Sequence, residues 1–474
     1  MRAEFLVNLR AATHDRTFER SLGWPGYLVA PDYLTRAGAT FVAALPATRE
    51  VMVDNGRFDE VGRISGQFAG QAQAVLGGLT DRTGRPVTAV DAVLSRLSSS
   101  SADALAELAS QVADAVAGSG GGMTREAQLE LEPTAVIGHE DILAACLLRL
   151  GFHVDLLARG RERLRARNRA VARAAVREAR SLPGSGVRIH AVASAHDYDT
   201  AFDAGREFAA AGVEHAALGF GAYMADDSYV GSYKARGRRV ALERRVPARY
   251  LRTALVAKGL WDGWAQVGGA PRSFHFLGLG APIMVGIVAV AAVETPLLTF
   301  DATSPIRDAV EGTLYVDDPA PLKVRTRRVA QLMMDDPRYR WRCQCPFCRR
   351  FLAQAPFDLD AARAWRADHP QRAIAAGDLS GVAPLASALP LLAEPRGGPA
   401  RKAVDVARMG HNHWVLRRIV SQVARQGSRD ALLGHVDGVV AAYEASTSGA
   451  QFASAVRNAL TLTVGSPWRP GPGV

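Results

Sequence analysis

The residues of this sequence best equipped for chemistry are a tight group of thiols and a few acids that follow apolar runs. Cys343-Gln344-Cys345-Pro346-Phe347-Cys348 places three thiols within six residues of a chain that has four cysteines in all. Thiolates at that spacing wrap one Zn²⁺ at about 2.3 Å each, and four soft ligands leave no open position for water. Such a metal holds a fold together and does not activate a substrate. The fourth ligand must come from downstream, where His369, His411 and His413 are the candidates. Asp301 ends the apolar run Pro296 to Phe300, and Ala302-Thr303-Ser304-Pro305-Ile306-Arg307 follows it. Asp54 stands in the same way after Val51-Met52-Val53. A carboxylate at the end of a fully buried strand sits at the C-terminal mouth where α/β barrels carry their chemistry. The alternative for Asp301 is a helix-capping role in a strand-to-helix loop.

The elements that must position these groups form a repeating pattern. Six short apolar runs read as buried strands: 51–53, 135–137, 187–192, 216–218, 274–277 and the run ending at Asp301. Each ends in polar or glycine residues, and helical patterns such as 199–211 and 248–258 lie between them. That alternation predicts parallel βαβ units, and six or more over ~300 residues fit a (β/α)8 TIM barrel better than an open sheet. The glycine pattern of a dinucleotide site does not follow the first strand. The barrel is expected over 1–315, a zinc-binding subdomain over 316–425, and closing C-terminal helices with a disordered tail over 426–474.

Composition sets the outer bounds. Of 474 residues 48% are hydrophobic and 22% charged, so a large core forms and global disorder is excluded. The net charge of +10 favours a polyanionic partner. Few cysteines, the lack of a signal-peptide layout and an apolar stretch of only Ala281 to Val293 predict a soluble, cytoplasmic protein with no membrane span. That stretch reads as a buried helix between two strands. Arg159 to Arg180 reads as a solvated helix on the outside of the barrel, and Lys234-Ala235-Arg236-Gly237-Arg238-Arg239 as a basic loop suited to phosphate contact.

Taken in order, these motifs resemble the tRNA-guanine transglycosylases over residues 50 to 420. Cys343, Cys345 and Cys348, with His411-Asn412 opening a helix downstream, are similar to that family's zinc signature. The resemblance therefore makes His411 the preferred fourth ligand. The interval before it is longer than the family's, so an insertion is implied and His369 and His413 stay open. Asp301 with Arg307 and Gly312-Thr313-Leu314-Tyr315 resembles the nucleophile segment, and Gly278-Leu279-Gly280-Ala281-Pro282 a glycine-rich strand end. Asp54-Asn55-Gly56-Arg57-Phe58 takes the place of a motif holding a general acid/base aspartate and a phenylalanine that stacks on the base.

The resemblance also places the base-binding residues. The second base-binding acid falls in Gly138-His139-Glu140-Asp141, so Glu140 and Asp141 are both candidates. Ser194 stands where the family carries a glutamine that reads guanine, and Gly219 and Gly221 are what remains of a longer glycine motif. These drifts resemble the DNA-modifying DpdA branch. The implied activity is exchange of guanine in DNA for 7-cyano-7-deazaguanine, with Asp301 as the covalent nucleophile, Asp54 as the proton carrier and a structural Zn²⁺. A duplex-opening partner protein is plausible, because a paired base cannot reach a pocket. The alternatives are the same exchange on tRNA, as in queuosine or archaeosine formation, and a non-catalytic nucleic-acid-binding subunit.

Overall fold

The computed structural model describes residues 1–9, 23–46, 48–86, 97–120, 123–157, 159–182, 186–226, 228–326, 328–329, 332, 343–349, 398–446 and 452–464. Its strands, in chain order, are β1 (Arg2–Leu9), β2 (Gly26–Val29), β3 (Glu50–Val53), β4 (Ala135–Glu140), β5 (Arg188–Ala193), β6 (His215–Gly219), β7 (Tyr229–Ala235), β8 (Arg238–Pro247), β9 (Ser273–Leu277), β10 (Leu297–Asp301), β11 (Thr313–Val316) and β12 (Leu322–Arg325). Eight of them, β1 to β6 with β9 and β10, pair in parallel and close into a barrel with β1 against β10. Helices on the outside cover it, as the apolar runs require: all five residues of β10 are buried, with both faces hidden. The α/β barrel expected from the sequence is present.

Inside the barrel, side chains alternate between the interior and the helices. One half of the interior is an apolar plug made by Leu6, Leu28, Met52, Ala135, Ile137 and Val192. The other half is polar and carries side-chain hydrogen bonds between strands. His190 Nε2 lies 3.0 Å from Ser273 Oγ, and His275 Nδ1 lies 2.8 Å from Thr299 Oγ1. On the outward face, Phe276 stacks on Phe300 at 4.6 Å between ring centres.

All six strands read from the sequence are found, together with two that were not anticipated, β1 and β2. The apolar stretch near 281 is the helix Pro282–Ala291 between β9 and β10. The arginine-rich segment is the helix Gly160–Ser181, but several of its arginines serve packing. Arg161 pairs with Asp203 at 2.6 Å, and Arg165 and Arg169 both pair with Glu207 of the neighbouring helix Tyr198–Ala211. The basic stretch at 234–239 is not a loop. It is the end of an antiparallel ribbon, β7 and β8, whose two-residue turn is Arg236 (φ +54°) and Gly237 (φ +70°). Two positive φ values and a glycine are what a tight hairpin turn of the right twist requires.

The helix Gly398–Ala424 buries Val415, Leu416, Ile419, Val420 and Val423 in the same core as the barrel helices. It lies against β1, so the second half of the segment assigned to a metal-binding lobe packs as part of the barrel wall. The helices Arg429–Ala445 and Ala453–Val464 follow it. Residues 465–474, expected to be a disordered tail, lie outside the described residues. Among the described residues no helix is long and apolar enough to cross a membrane.

Candidate active site and metal centre

Asp301 closes β10 at the C-terminal mouth of the barrel and is 2% exposed. Its neighbour β1 carries Leu6 opposite Asp301, so Asn8, two residues on and on the same face, stands just above it. Asn8 Nδ2 donates to Asp301 Oδ2 at 2.6 Å. The other oxygen, Oδ1, accepts from the Gly278 N–H at 2.9 Å and from His275 Nε2 at 3.2 Å. His275 Nδ1 lies 2.8 Å from Thr299 Oγ1, which holds the ring with Nε2 toward the carboxylate. Both oxygens of Asp301 are therefore oriented by polar neighbours. Asn8 and His275 were not identified from the sequence; a polar residue at an inward position near the end of a buried strand was the available signal.

Asp54 follows β3 and continues its ladder, the N–H of Asp54 donating to Val29 O at 2.7 Å. Its side chain accepts from the Asn55 N–H at 2.8 Å, and Gly56 (φ +71°) turns the chain into the helix Arg57–Gly77. Asn55 is a further residue the sequence did not single out. Its amide donates to Gly138 O at 3.0 Å and to Glu140 Oε2 at 3.2 Å, tying the two acid-bearing strands together. Burial pushes the Asp54 carboxyl up to about 6; the Asn55 N–H opposes this and the charge of Asp301 adds to it. Burial also pushes Glu140 up to about 7, and the charge of Asp54 contributes.

The choice between Glu140 and Asp141 is decided by a bulge. Ile137 pairs with His190 and Glu140 with Val192, so β4 spends three residues where β5 spends two. Strict alternation from the inward Ile137 would turn His139 into the barrel. The extra residue instead sends His139 outward to Glu178, at 2.9 Å, and brings Glu140 inward beside Asn55. Asp141 is turned away: its Oδ2 pairs with Arg167 at 2.5 Å and its Oδ1 accepts the Leu143 N–H at 3.1 Å. Of the two candidate acids, Glu140 therefore lies beside Asn55 at the mouth and Asp141 is paired away from it.

Two carboxyls with raised values make a signed prediction. Both favour the neutral form in the folded protein, so their contribution to stability is present below about pH 4 and is lost as pH rises through about 6 and 7. Asp54→Asn is expected to raise stability near pH 8 by on the order of 1–3 kcal/mol and to leave it unchanged near pH 4. Urea unfolding at the two pH values measures this; an equal change at both would mean that Asp54 ionises as it does in water.

Beside the acids, Phe58 is 53% exposed and its ring packs directly on Gly221: a Cβ there would come within 2.7 Å of Phe58 Cε2. Gly278 (φ +70°) lies alongside, a Cβ on it falling 3.6 Å from Gly221 N. Gly219 ends β6 just before, and the Phe220 N–H donates to Leu277 O at 2.8 Å, joining the two glycine turns. The glycine backs one face of the Phe58 ring, and the exposed remainder of the ring can stack on a planar group. Ser194 follows β5 with its peptide clamped by Asn168, whose Oδ1 accepts the Ser194 N–H at 2.9 Å and whose Nδ2 donates to Ser194 O at 2.7 Å. The Arg307 side chain is 70% exposed on the helix Ser304–Val310 that begins directly above Asp301.

The three cysteines converge on His411, and these four residues can hold a metal ion. His411 Nδ1 lies 3.3 Å from Cys343 Sγ, 3.5 Å from Cys345 Sγ and 3.6 Å from Cys348 Sγ. Sulfur at ~2.3 Å and nitrogen at ~2.05 Å from one tetrahedral Zn²⁺ stand about 3.6 Å apart, so the donor set fits that ion. His411 Nε2 is 2.8 Å from Tyr315 O, a carbonyl partner that orients the ring and leaves Nδ1 for a metal. Next to it, the Asn412 side chain accepts the Tyr315 N–H at 2.9 Å and donates to Thr313 O at 3.0 Å, stitching β11 to the long helix. His413 is excluded as the fourth ligand. It points the other way, with Nδ1 2.7 Å from Met409 O and its ring 6.0 Å from those of Phe5 and Trp24. His369 lies outside the described residues.

A cavity of about 260 Å³ lies off this mouth, between the β7–β8 ribbon and the loops carrying His153, Asp155, His196 and Asp197. Burial opposes charge on His153, but the Asp155 and Asp197 carboxylates at its two ring nitrogens prevail and raise it to about 9. A comparison with protein-family models finds no match to the chain, and neither does a comparison with curated proteins.

Proposed function

We propose that this protein is a guanine transglycosylase that exchanges guanine in DNA for 7-cyano-7-deazaguanine through a covalent aspartyl-sugar intermediate, with Zn²⁺ as a structural ion. One observation carries the reading: the Asp301 carboxylate, fixed by Asn8, Gly278 and His275, shares the barrel mouth with a second acid whose proton affinity its own charge raises. The motif order that resembles the tRNA-guanine transglycosylases supports it.

In this mechanism Asp301 attacks C1′ as the C1′–N9 bond breaks, and the electron pair leaves on N9 of guanine. A carboxylate is a competent nucleophile at such an oxocarbenium-like carbon. Asp54, with a value near neutrality, supplies a proton to the departing base and, once ionised, takes the N9 proton of the incoming 7-deazaguanine. That nitrogen then attacks C1′ and releases Asp301, so two inversions retain the β-anomer. Phe58, backed by Gly221, stacks on the base, Glu140 meets its hydrogen-bonding edge, and Arg307 meets a flanking phosphate. Cys343, Cys345, Cys348 and His411 would hold the zinc, which would join the 343–348 turn to the helix Gly398–Ala424.

Incubation of the protein with radiolabelled 7-cyano-7-deazaguanine and either DNA or tRNA tests the proposal. Label is expected in DNA; label in tRNA alone would move the substrate to RNA, and label in neither would remove the exchange reaction. Phe58→Ala is expected to raise the KM for the entering base by about 5- to 100-fold with a smaller change in kcat, the loss of one stacked base–aromatic contact. Steady-state kinetics at varied base concentration measure the split.

A further inference from the structure

We infer that the β7–β8 ribbon is a docking surface for the phosphate backbone of duplex DNA, on either side of the nucleotide that enters the barrel mouth. The inference rests on the DNA reading above and adds to it the surface that holds the polymer.

The ribbon is inserted between β6 and the helix Ala248–Val267. That helix packs parallel to Tyr198–Ala211 and very closely, since a Cβ on Gly259 would meet Tyr198 O at 2.3 Å and one on Gly263 would meet Phe202 O at 2.0 Å. The contact at Gly259 is with the first residue of its neighbour, so residues 248–258 run on beyond it for about 16 Å at 1.5 Å per residue. The ribbon lies along this extension. Val230 and Leu242 pack on the main core, and Tyr233 and Ala235 on a small cluster of Tyr198, Phe202 and Leu255. These contacts, made from both faces, fix the ribbon to the helices.

Arg238, Arg239, Arg244 and Arg245 are nonetheless exposed. Residues 229–247 hold six cations and one acid, Glu243, which is half of the chain's net charge of +10. Lys234 lies 3.8 Å from Asp155 and Arg236 3.7 Å from Asp262, while the four exposed arginines pair with no acid among the described residues. Arg239 donates to the neutral Ser232 Oγ at 2.8 Å and Arg245 to the neutral Tyr229 O at 2.6 Å. Arg238 and Arg244 have no acidic partner among the described residues. The contrast is with the helix Gly160–Ser181, where Arg161, Arg165, Arg167 and Arg169 are all matched by acids.

Spacing and side-chain type select the occupant. Arg239 stands opposite Lys234 and Arg245 donates to Tyr229 O, five residues along β7, so the two arginines lie about 17 Å apart along the ribbon at ~3.4 Å per strand residue, the rise of about five phosphates along one strand of a duplex. Surfaces that bind single strands stack bases on aromatic side chains. Here the exposed large apolar residues of the ribbon are Tyr229 and Val240. A ladder of guanidinium groups with so little to stack on fits backbone contact.

The test compares the full-length zinc-loaded protein with two charge-matched variants by fluorescence anisotropy, without any deazaguanine. One variant is Arg238→Ala/Arg239→Ala/Arg244→Ala/Arg245→Ala. The other removes four exposed arginines of the neighbouring helix, Arg163→Ala/Arg173→Ala/Arg177→Ala/Arg180→Ala. The ribbon variant is expected to bind a 30-base-pair duplex at least about tenfold more weakly than the helix variant. Its slope of log affinity against log salt should shrink by about 3–4, near 0.9 per lost phosphate contact. Equal losses in the two variants, or none, would overturn the inference, as would tighter binding of single-stranded DNA or tRNA than of the duplex. Because no base is exchanged in the assay, Asp301→Asn should bind as the unmodified protein does. Ribbon-dependent binding without exchange would sink only the enzymatic reading, and exchange with unaltered ribbon-variant binding only the docking surface.

Discussion

Asp301→Asn is expected to leave the protein folded and to abolish base exchange, with a loss of at least about 10⁴-fold, the scale seen when a covalent nucleophile is removed. The reasoning begins with geometry. The carboxylate is held by Asn8, Gly278 and His275, and no lysine or arginine is bonded to it, so the substitution strands no permanently charged side chain. The amide of the variant keeps an oxygen for the Gly278 and His275 donors, and Asn8 can turn its own oxygen toward the new amino group. Stability should therefore change little, while the atom that bonds C1′ is gone. A second consequence is electrostatic. Loss of the Asp301 charge removes one of the causes that raise Asp54, so in the variant Asp54 should titrate below its unmodified value of about 6. Side-chain carbon NMR of Asp54 would read this, and an unmoved titration would mean the two acids do not sense each other.

Loss of the metal is expected to have the larger effect on stability. His411 lies in the helix Gly398–Ala424, which buries five large apolar side chains in the barrel core, and its ring is bonded to Tyr315 of β11. A metal held by the Cys343–Cys348 turn and His411 would tie a short turn to the barrel wall. Structural Zn²⁺ sites in isolated fingers contribute roughly 10–16 kcal/mol of binding free energy that is available to folding. A fraction of that, at least about 3 kcal/mol, is expected to be lost on chelation or in Cys345→Ser. Thermal melts with and without a chelator, together with a metal assay expected to give one zinc per chain, measure it. A melting curve that ignores the chelator would contradict a structural role.

Much of the barrel was legible because its strands are apolar runs that stop at a polar or glycine residue. β1 and β2 escaped for a physical reason. β1 turns Glu4 and Asn8 into the polar half of the interior, which breaks the apolar run, and β2 is four residues long. The same mixed character hid Asn8 and His275, since their value lies in a partner that is 293 or 26 residues away in sequence. The ribbon was read as a loop because adjacent arginines at 238–239 and 244–245 and glycines at 231 and 237 erase the hydrophobic alternation that marks a strand. Glu140 could not be separated from Asp141 by pattern: the bulge in β4 reverses the alternation, and a bulge leaves no composition signature. The metal ligands, by contrast, were legible almost entirely, because three thiols in six residues have few other uses, and only the choice among histidines needed coordinates.

The most direct test of the central claim is to quench a reaction of the unmodified protein with a guanine-containing DNA oligonucleotide in denaturant and locate the attachment by peptide mass spectrometry. The expected result is one sugar-linked adduct on the peptide carrying Asp301, absent from Asp301→Asn and dispersed by adding 7-cyano-7-deazaguanine before the quench. An adduct on Asp54 or Glu140, or exchange that proceeds with Asp301→Asn, would contradict the account.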